Sequence, residues 1–275
     1  MIVTRFAPSP TGLLHLGHAH SALFAHRQAN GGRFLLRHED IDPGRCRPEF
    51  ITAIEDDLTW LGLDWPQPAR RQSEHLKDYR AALDRLSGLG LLYPCFCTRS
   101  DIAREIAASG HAPHGPDGPL YPGLCRALPA EEAARRQEAG EAYALRLDMA
   151  KAVALAGELH WTDRSVGSQV AQPALFGDVV LARKDTPTSY HLAVTVDDAL
   201  QGVTLVTRGQ DLFEASHLHR LLQALLGLPV PEWHHHPLLT DESGKRFAKR
   251  DKALTLQSLR DSGKTPDEVR RMAGF

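Results

Sequence analysis

Apolar positions follow two alternating periods along this chain. IVTRFAPSP at the start reads as a short strand closed by a proline-punctuated turn, and the apolar-rich stretch 14–29 reads as a helix. RFLLRHEDID (33–42) predicts a second buried strand. PEFITAIEDDLTWLGL (48–63) sets Ile51, Ile54, Leu58 and Leu61 at helical spacing behind Pro48 in the first turn. A further helix is expected after Ser73 as N-cap, with Leu76, Tyr79, Leu83 and Leu86 on one face before a GLG break. The order strand, helix, strand, helix predicts a parallel sheet with helices on its faces, an α/β fold.

That regularity then lapses. From about Tyr93 to Pro129 the chain is loop-like, and HAPHGPDGPLYPG is dense in proline and glycine, which marks an inserted lobe. VVLA (179–182), YHLAVTV (190–196) and VTLVT (203–207) predict strands of a returning sheet, and ASHLHRLLQALLGL (215–228) a helix closed by its glycine. Thr265-Pro266-Asp267-Glu268 has capping-box spacing for one last helix. The expected organisation is a Rossmann-type doubly wound domain in two halves, 1–92 and 176–252, interrupted by a lobe at 93–175 and followed by a short helical tail at 253–275.

Composition narrows the function classes. A chain of 275 residues with 42% hydrophobic content can bury one substantial core without disulfides. No apolar run approaches the roughly 18 residues of a membrane span, and Met1 is followed by no basic and apolar leader, so the expected location is cytoplasmic, with no membrane partner. With 32 Lys+Arg against 34 Asp+Glu there is no global positive field. Any RNA surface must be local: Arg45 and Arg47, Arg70 and Arg71, or GKRFAKRDK at 244–252. Of four cysteines, Cys95, Cys97 and Cys125 cluster as a metal site does, while Cys46 stands apart. Three thiolates suit tetrahedral zinc if a fourth ligand exists, and His111 and His114 in the intervening loop are the conventional candidates.

Two segments carry nucleotide chemistry. HLGH (15–18) puts two imidazoles three residues apart at the start of a helix, where unpaired N–H groups and the positive dipole end attract phosphate. Gly17 leaves room for close approach to the backbone. GKRFAKRD (244–251) is a glycine-led loop with four cations, Lys245, Arg246, Lys249 and Arg250, suited to stabilising charge on a departing pyrophosphate.

With these residues in place, RFAPSPTGLLHLGH resembles the opening of glutamyl-type class I aminoacyl-tRNA synthetases, with HLGH at the place of their HIGH motif. RFAKR (246–250) stands at the place of the KMSKS motif, and LAVTVDDALQGVTLVTRGQDL (192–212) is similar to the segment that walls their amino-acid pocket. The likeness covers roughly the first 250 residues, in order. It departs at Arg246, which replaces the first lysine, and at Ala248, which replaces the serine; Lys249 is retained.

The resemblance implies ATP-dependent activation of glutamate, with Mg²⁺ accompanying ATP. His15, Gly17, His18 and Lys249 would serve ATP and the chemistry; Arg5 and Ser9 would contact glutamate, Glu39 receive its ammonium group, and Tyr190 and Arg208 complete the pocket. Each has a plainer reading from the residues alone, Arg5 as a strand-end surface residue, Glu39 as a partner for Arg37, Tyr190 as a core tyrosine and Arg208 as a structural ion pair. Their joint occurrence at the family's spacings favours function. Asp197 and Asp198 read as structural.

Short members of the family carry a C-x-C followed by Y-x-x-x-C as a zinc site, which by likeness assigns structural Zn²⁺ to Cys95, Cys97, Tyr121 and Cys125. Their acceptor is queuosine in the anticodon stem-loop of tRNA(Asp), and long members continue past the KMSKS-like loop into an anticodon-binding region, whereas this sequence ends at Phe275. The alternatives are a compact enzyme charging the 3′ end of tRNA(Glu), a non-catalytic RNA-binding paralogue, and an ATP-dependent ligase acting on a small amine.

Overall fold

The computed structural model describes residues 1–108, 114–239 and 255–275. In chain order the first elements are β1 (Val3–Phe6), α1 (Leu16–Ala29), β2 (Arg33–His38), α2 (Pro48–Trp60), β3 (Arg70–Arg71), α3 (Leu76–Gly88) and β4 (Leu92–Cys95). There follow α4 (Arg99–Ala108), β5 (His114–Gly115), β6 (Gly118–Pro119), α5 (Ala130–Glu138), β7 (Ala144–Leu147), α6 (Met149–Ala156), β8 (His160–Asp163), β9 (Gly167–Val170) and β10 (Val180–Ala182). The chain closes with α7 (Tyr190–Leu200), β11 (Leu205–Gly209), α8 (Ala215–Leu226), β12 (Glu232–His236), α9 (Leu256–Asp261) and α10 (Pro266–Met272). None of the described helices is long and apolar enough to cross a membrane.

Parallel pairing organises the strands around the site. β1 pairs with β2 and β2 with β3, all parallel; β11 pairs with β12 in parallel, with Arg208 opposite His235. Thr204 N donates to Val3 O at 3.0 Å, which joins the start of β11 to β1. Antiparallel pairing occurs in β10–β7–β4, in the β5–β6 hairpin, and between β8 and β9.

Four apolar clusters occur among the described residues, the smallest of them around Cys95, Phe96, Cys125 and Ala133. Leu83 and Leu86 of α3 pack with Leu192 and Val196 of α7 and with Leu218, Leu221 and Leu222 of α8. Val3, Leu35, Val206 and Trp233 meet Trp161 on the sheet. Leu23, Ile54 and Leu58 pack with Leu256, Leu259, Val269 and Ala273, so α9 and α10 are part of the core of α1 and α2. Thr265 and Glu268 form the expected capping box, and Gly227 ends α8 in the left-handed region at φ 60°.

Three expectations from the sequence are corrected. YHLAVTV is not a strand but the first two turns of α7, N-capped by Ser189. Its positions 192–198 are all buried, so no polar face marks a helical period, and a short apolar run then reads the same in either state. Ser73 does not cap α3: its N–H and hydroxyl bond to Asp40 at 2.8 and 2.7 Å, a 3₁₀ turn covers Gln72–His75, and His75 occupies the N-cap. Finally, the stretch 93–129 is not wholly loop, since it contains α4 and the β5–β6 hairpin.

Candidate active site and candidate metal centre

The C-terminal ends of β1, β2 and β11 and the N-termini of α1 and α7 surround one cleft of about 740 Å³. Arg5, Ser9, His15, Gly17, His18, Glu39, Tyr190 and Arg208 all line it, together with Asp211 and His236. Their places follow from topology, because ligands of open α/β sheets gather beyond the carboxyl ends of parallel strands.

At the α1 end, His15 is the N-cap. Gly17 N donates to His15 Nδ1 at 3.1 Å and His15 N donates to His18 Nδ1 at 3.2 Å, a reciprocal capping box with imidazoles in place of hydroxyl and carboxylate. Each Nδ1 is therefore an acceptor, and the proton of each neutral ring sits on Nε2. The two ring centroids are 3.8 Å apart. Two N–H donors thus accompany a helix N-terminus at the cleft.

The other end is dominated by buried charge. Arg5 Nε and Nη2 donate to Asp198 at 3.0 and 3.3 Å, while Nη1 donates to Thr207 O at 3.0 Å. Asp198 also accepts from Arg37 Nη1 at 2.8 Å. Burial pushes the Asp198 carboxyl up, but the Arg5 and Arg37 guanidiniums outweigh it and hold the group below the usual carboxylate range. Glu39 lies 3.5 Å from Arg37 Nη2. For Glu39 burial wins over Arg37 and Arg5, and its pKa is pushed up to about 7.

Arg208 is buried with a different shell. Nε donates to His235 Nε2 at 3.1 Å, Nη1 to His219 Nδ1 at 3.2 Å and Nη2 to Ser216 Oγ at 2.6 Å. Among the described residues none of its bonded partners is a carboxylate, and burial pulls its pKa down. A buried guanidinium held only by neutral groups favours an incoming anion. His219, His235 and Ser216 were missed by sequence reasoning. The available signal was strand register, which sets the middle residue of His234-His235-His236 against Arg208.

The cysteines meet elsewhere. Cys95, Cys97 and Cys125 place their sulfurs within 4.8 Å of one another. Tyr121 Oη lies 3.4 Å from the sulfurs of both Cys95 and Cys97, and accepts from Cys125 N at 2.8 Å. Zinc with Zn–S bonds of about 2.3 Å needs sulfurs roughly 3.8 Å apart. Cys97 and Cys125 stand at 3.4 Å and no pair of the three sulfurs exceeds 4.8 Å, so small shifts in either direction separate this donor set from tetrahedral ligation. Burial raises the Cys97 thiol to about 11 and the Tyr121 phenol further, and a bound cation reverses that preference. His114 is outside the cluster. His111 and the cationic loop with Lys249 lie outside the described residues.

A sequence model of the family described as tRNA synthetases class I (E and Q), catalytic domain, matches residues 1–273. The Glutamyl-Q tRNA(Asp) synthetase of Rhodobacter capsulatus is 50% identical over 100% of this chain and 100% of its own length. That of Symbiobacterium thermophilum is 44% identical over 98% of this chain and 84% of its own. Among solved structures, glutamate-tRNA synthetase from Elizabethkingia anophelis superposes with a TM-score of 0.76 at 31% identity, covering 91% of this chain and 53% of that one. This chain therefore spans about half the length of that structure.

Proposed function

Because the chain belongs to the class I tRNA synthetase (E and Q) catalytic-domain family, we propose that it activates glutamate with ATP and transfers it to queuosine in the anticodon of tRNA(Asp). The geometric observation that carries the first half is Arg208, a buried cation at the wall of the cleft with no bonded carboxylate among the described residues. It receives the side-chain carboxylate of glutamate. Tyr190 flanks it, Glu39 takes the ammonium group, and Ser9 and Arg5 line the rest of the cleft. A site built on such polar partners rejects uncharged analogues strongly.

The substrate's α-carboxylate oxygen attacks the α-phosphorus of ATP, the bond to pyrophosphate breaks, and glutamyl-adenylate forms. The Nε2–H groups of His15 and His18 and the N-terminus of α1 hold phosphate oxygens. Lys249 meets the charge that builds on pyrophosphate. Magnesium arrives with ATP, on phosphate oxygens and water. No side-chain nucleophile is required, so the protein's part is alignment and charge stabilisation.

The acceptor half rests on the relative that matches along its whole length at 50% identity and is named for that activity. Likeness to a glutamate-tRNA synthetase at 31% supports a second reading, charging of tRNA(Glu) at its 3′ end. Structural Zn²⁺ belongs on Cys95, Cys97, Cys125 and Tyr121, where it would close a lobe with little apolar core of its own. With this goes a division of the chain into 1–92, 93–175, 176–252 and 253–275, and a cytoplasmic location. Pyrophosphate exchange without tRNA tests the activation step: glutamate supports exchange, glutamine and aspartate do not. Absence of glutamate-dependent exchange would refute it.

A further inference from the structure

Arg208 constrains the protonation of its neighbours, because a guanidinium only donates hydrogen bonds. His219 Nδ1, facing Arg208 Nη1 at 3.2 Å, must be bare, so the neutral ring carries its proton on Nε2. That Nε2 lies 3.1 Å from His191 Nδ1 and donates to it. The His191 proton is then on Nε2, which donates to Asp117 Oδ2 at 3.0 Å. Every link is fixed in one direction, and the line ends on the turn of the β5–β6 hairpin. On the other side the same logic runs through His235, whose Nε2 accepts from Arg208 and whose Nδ1 donates to buried Asp163 at 2.7 Å. One line reaches Arg208 through β12 from Asp163 at the end of β8, and the other through α8 and α7 from the β5–β6 hairpin.

We propose that Asp117, His191 and His219 are positioning residues for Arg208, through which the inserted lobe sets the aim of the guanidinium that selects glutamate. The inference rests on the reading of Arg208 as the carboxylate site. Burial keeps His219 neutral, since its pKa is held well below the ordinary histidine value by desolvation and by Arg208, and the line needs that neutral form. Asp117 acts through hydrogen-bond direction more than through charge. Its side chain is 63% exposed, where solvent screens its field at the cleft. His191 cannot face Asp117 correctly in its other tautomer, so losing the acceptor frees both imidazoles to turn and loosens the bond from Arg208 to His219.

The test is steady-state pyrophosphate exchange on the full chain with Asp117→Ala, Asp117→Asn and His191→Phe. Asp117→Ala should raise KM for glutamate roughly tenfold, with kcat and KM for ATP nearly unchanged. Asp117→Asn keeps an acceptor oxygen and should stay within about twofold of the parent. His191→Phe should match Asp117→Ala, and the double variant should add nothing further. An unchanged glutamate KM in Asp117→Ala, an equal shift in KM for ATP, or an Asn variant as impaired as the Ala variant would overturn the relay. Arg208→Ala separates the two levels: an unchanged glutamate KM there overturns the pocket reading itself, whereas a raised one beside a normal Asp117→Ala overturns only the relay.

Discussion

Arg5 and Asp198, one on the first strand and the other on a helix assembled from the second half of the chain, form a two-point pair with Nε–Oδ1 at 3.0 Å and Nη2–Oδ2 at 3.3 Å. This pair holds Arg5 at the wall of the cleft. Arg37 shares the same carboxylate and is itself fully buried. Replacing Asp198 by Ala leaves two buried guanidiniums short of their counter-charge.

The expected cost of Asp198→Ala is about 3–5 kcal/mol, as for other buried pairs broken from one side. That is a large share of the roughly 5–15 kcal/mol that holds a domain folded. Urea unfolding should show a lowered midpoint with little change in slope. By contrast Glu132→Ala, which removes a solvent-exposed partner of Arg135, should leave the midpoint where it was. Equal stability of the two variants would contradict the structural role of Asp198.

Glu39 gives the site a pH dependence. Its carboxyl, raised to about 7 chiefly by burial, is protonated below that value and cannot pair with an ammonium group there. With Glu39 as the ammonium partner, kcat/KM for glutamate should climb as pH rises through about 7 and then level off. Glu39→Gln should lower the plateau and remove the acidic limb. A retained limb in that variant would assign the titration to another group.

Much of this was legible in the sequence because its signals are local. Strand–turn–helix punctuation at RFAPSP, helical spacing behind Pro48 and the Thr265 capping box each act within a few residues, and the structure has the corresponding elements. What was not legible depends on tertiary context. Helix α7 is buried along most of its length, so its pattern carried no period. The sequence marks 253–275 only as a short helical tail, and packing of Leu256, Leu259 and Val269 against α1 and α2 makes it part of the core. The histidines around Arg208 come from α7, α8 and β12, and no spacing rule connects them. The expectation for Lys249 falls outside the described residues.

The cysteine lobe makes a separate prediction about composition. Purified protein should hold about one Zn²⁺ per chain, as a four-coordinate structural site requires. Cys97→Ala should lose the metal and Cys46→Ala should keep it, read by elemental analysis. Tyr121→Phe should weaken zinc binding while His114→Ala does not; the reverse pattern would show that the fourth ligand is misassigned.

The central claim concerns where glutamate goes. An anticodon stem-loop of tRNA(Asp) bearing queuosine, incubated with the protein, ATP and labelled glutamate, should acquire label on the modified base, and the same stem-loop with guanosine there should not. Binding should weaken with salt, since it relies on local basic patches of a chain with net charge −2. Mapping the labelled nucleotide decides the matter: label on queuosine is the predicted result, and label confined to the 3′ end of tRNA(Glu) would contradict the account.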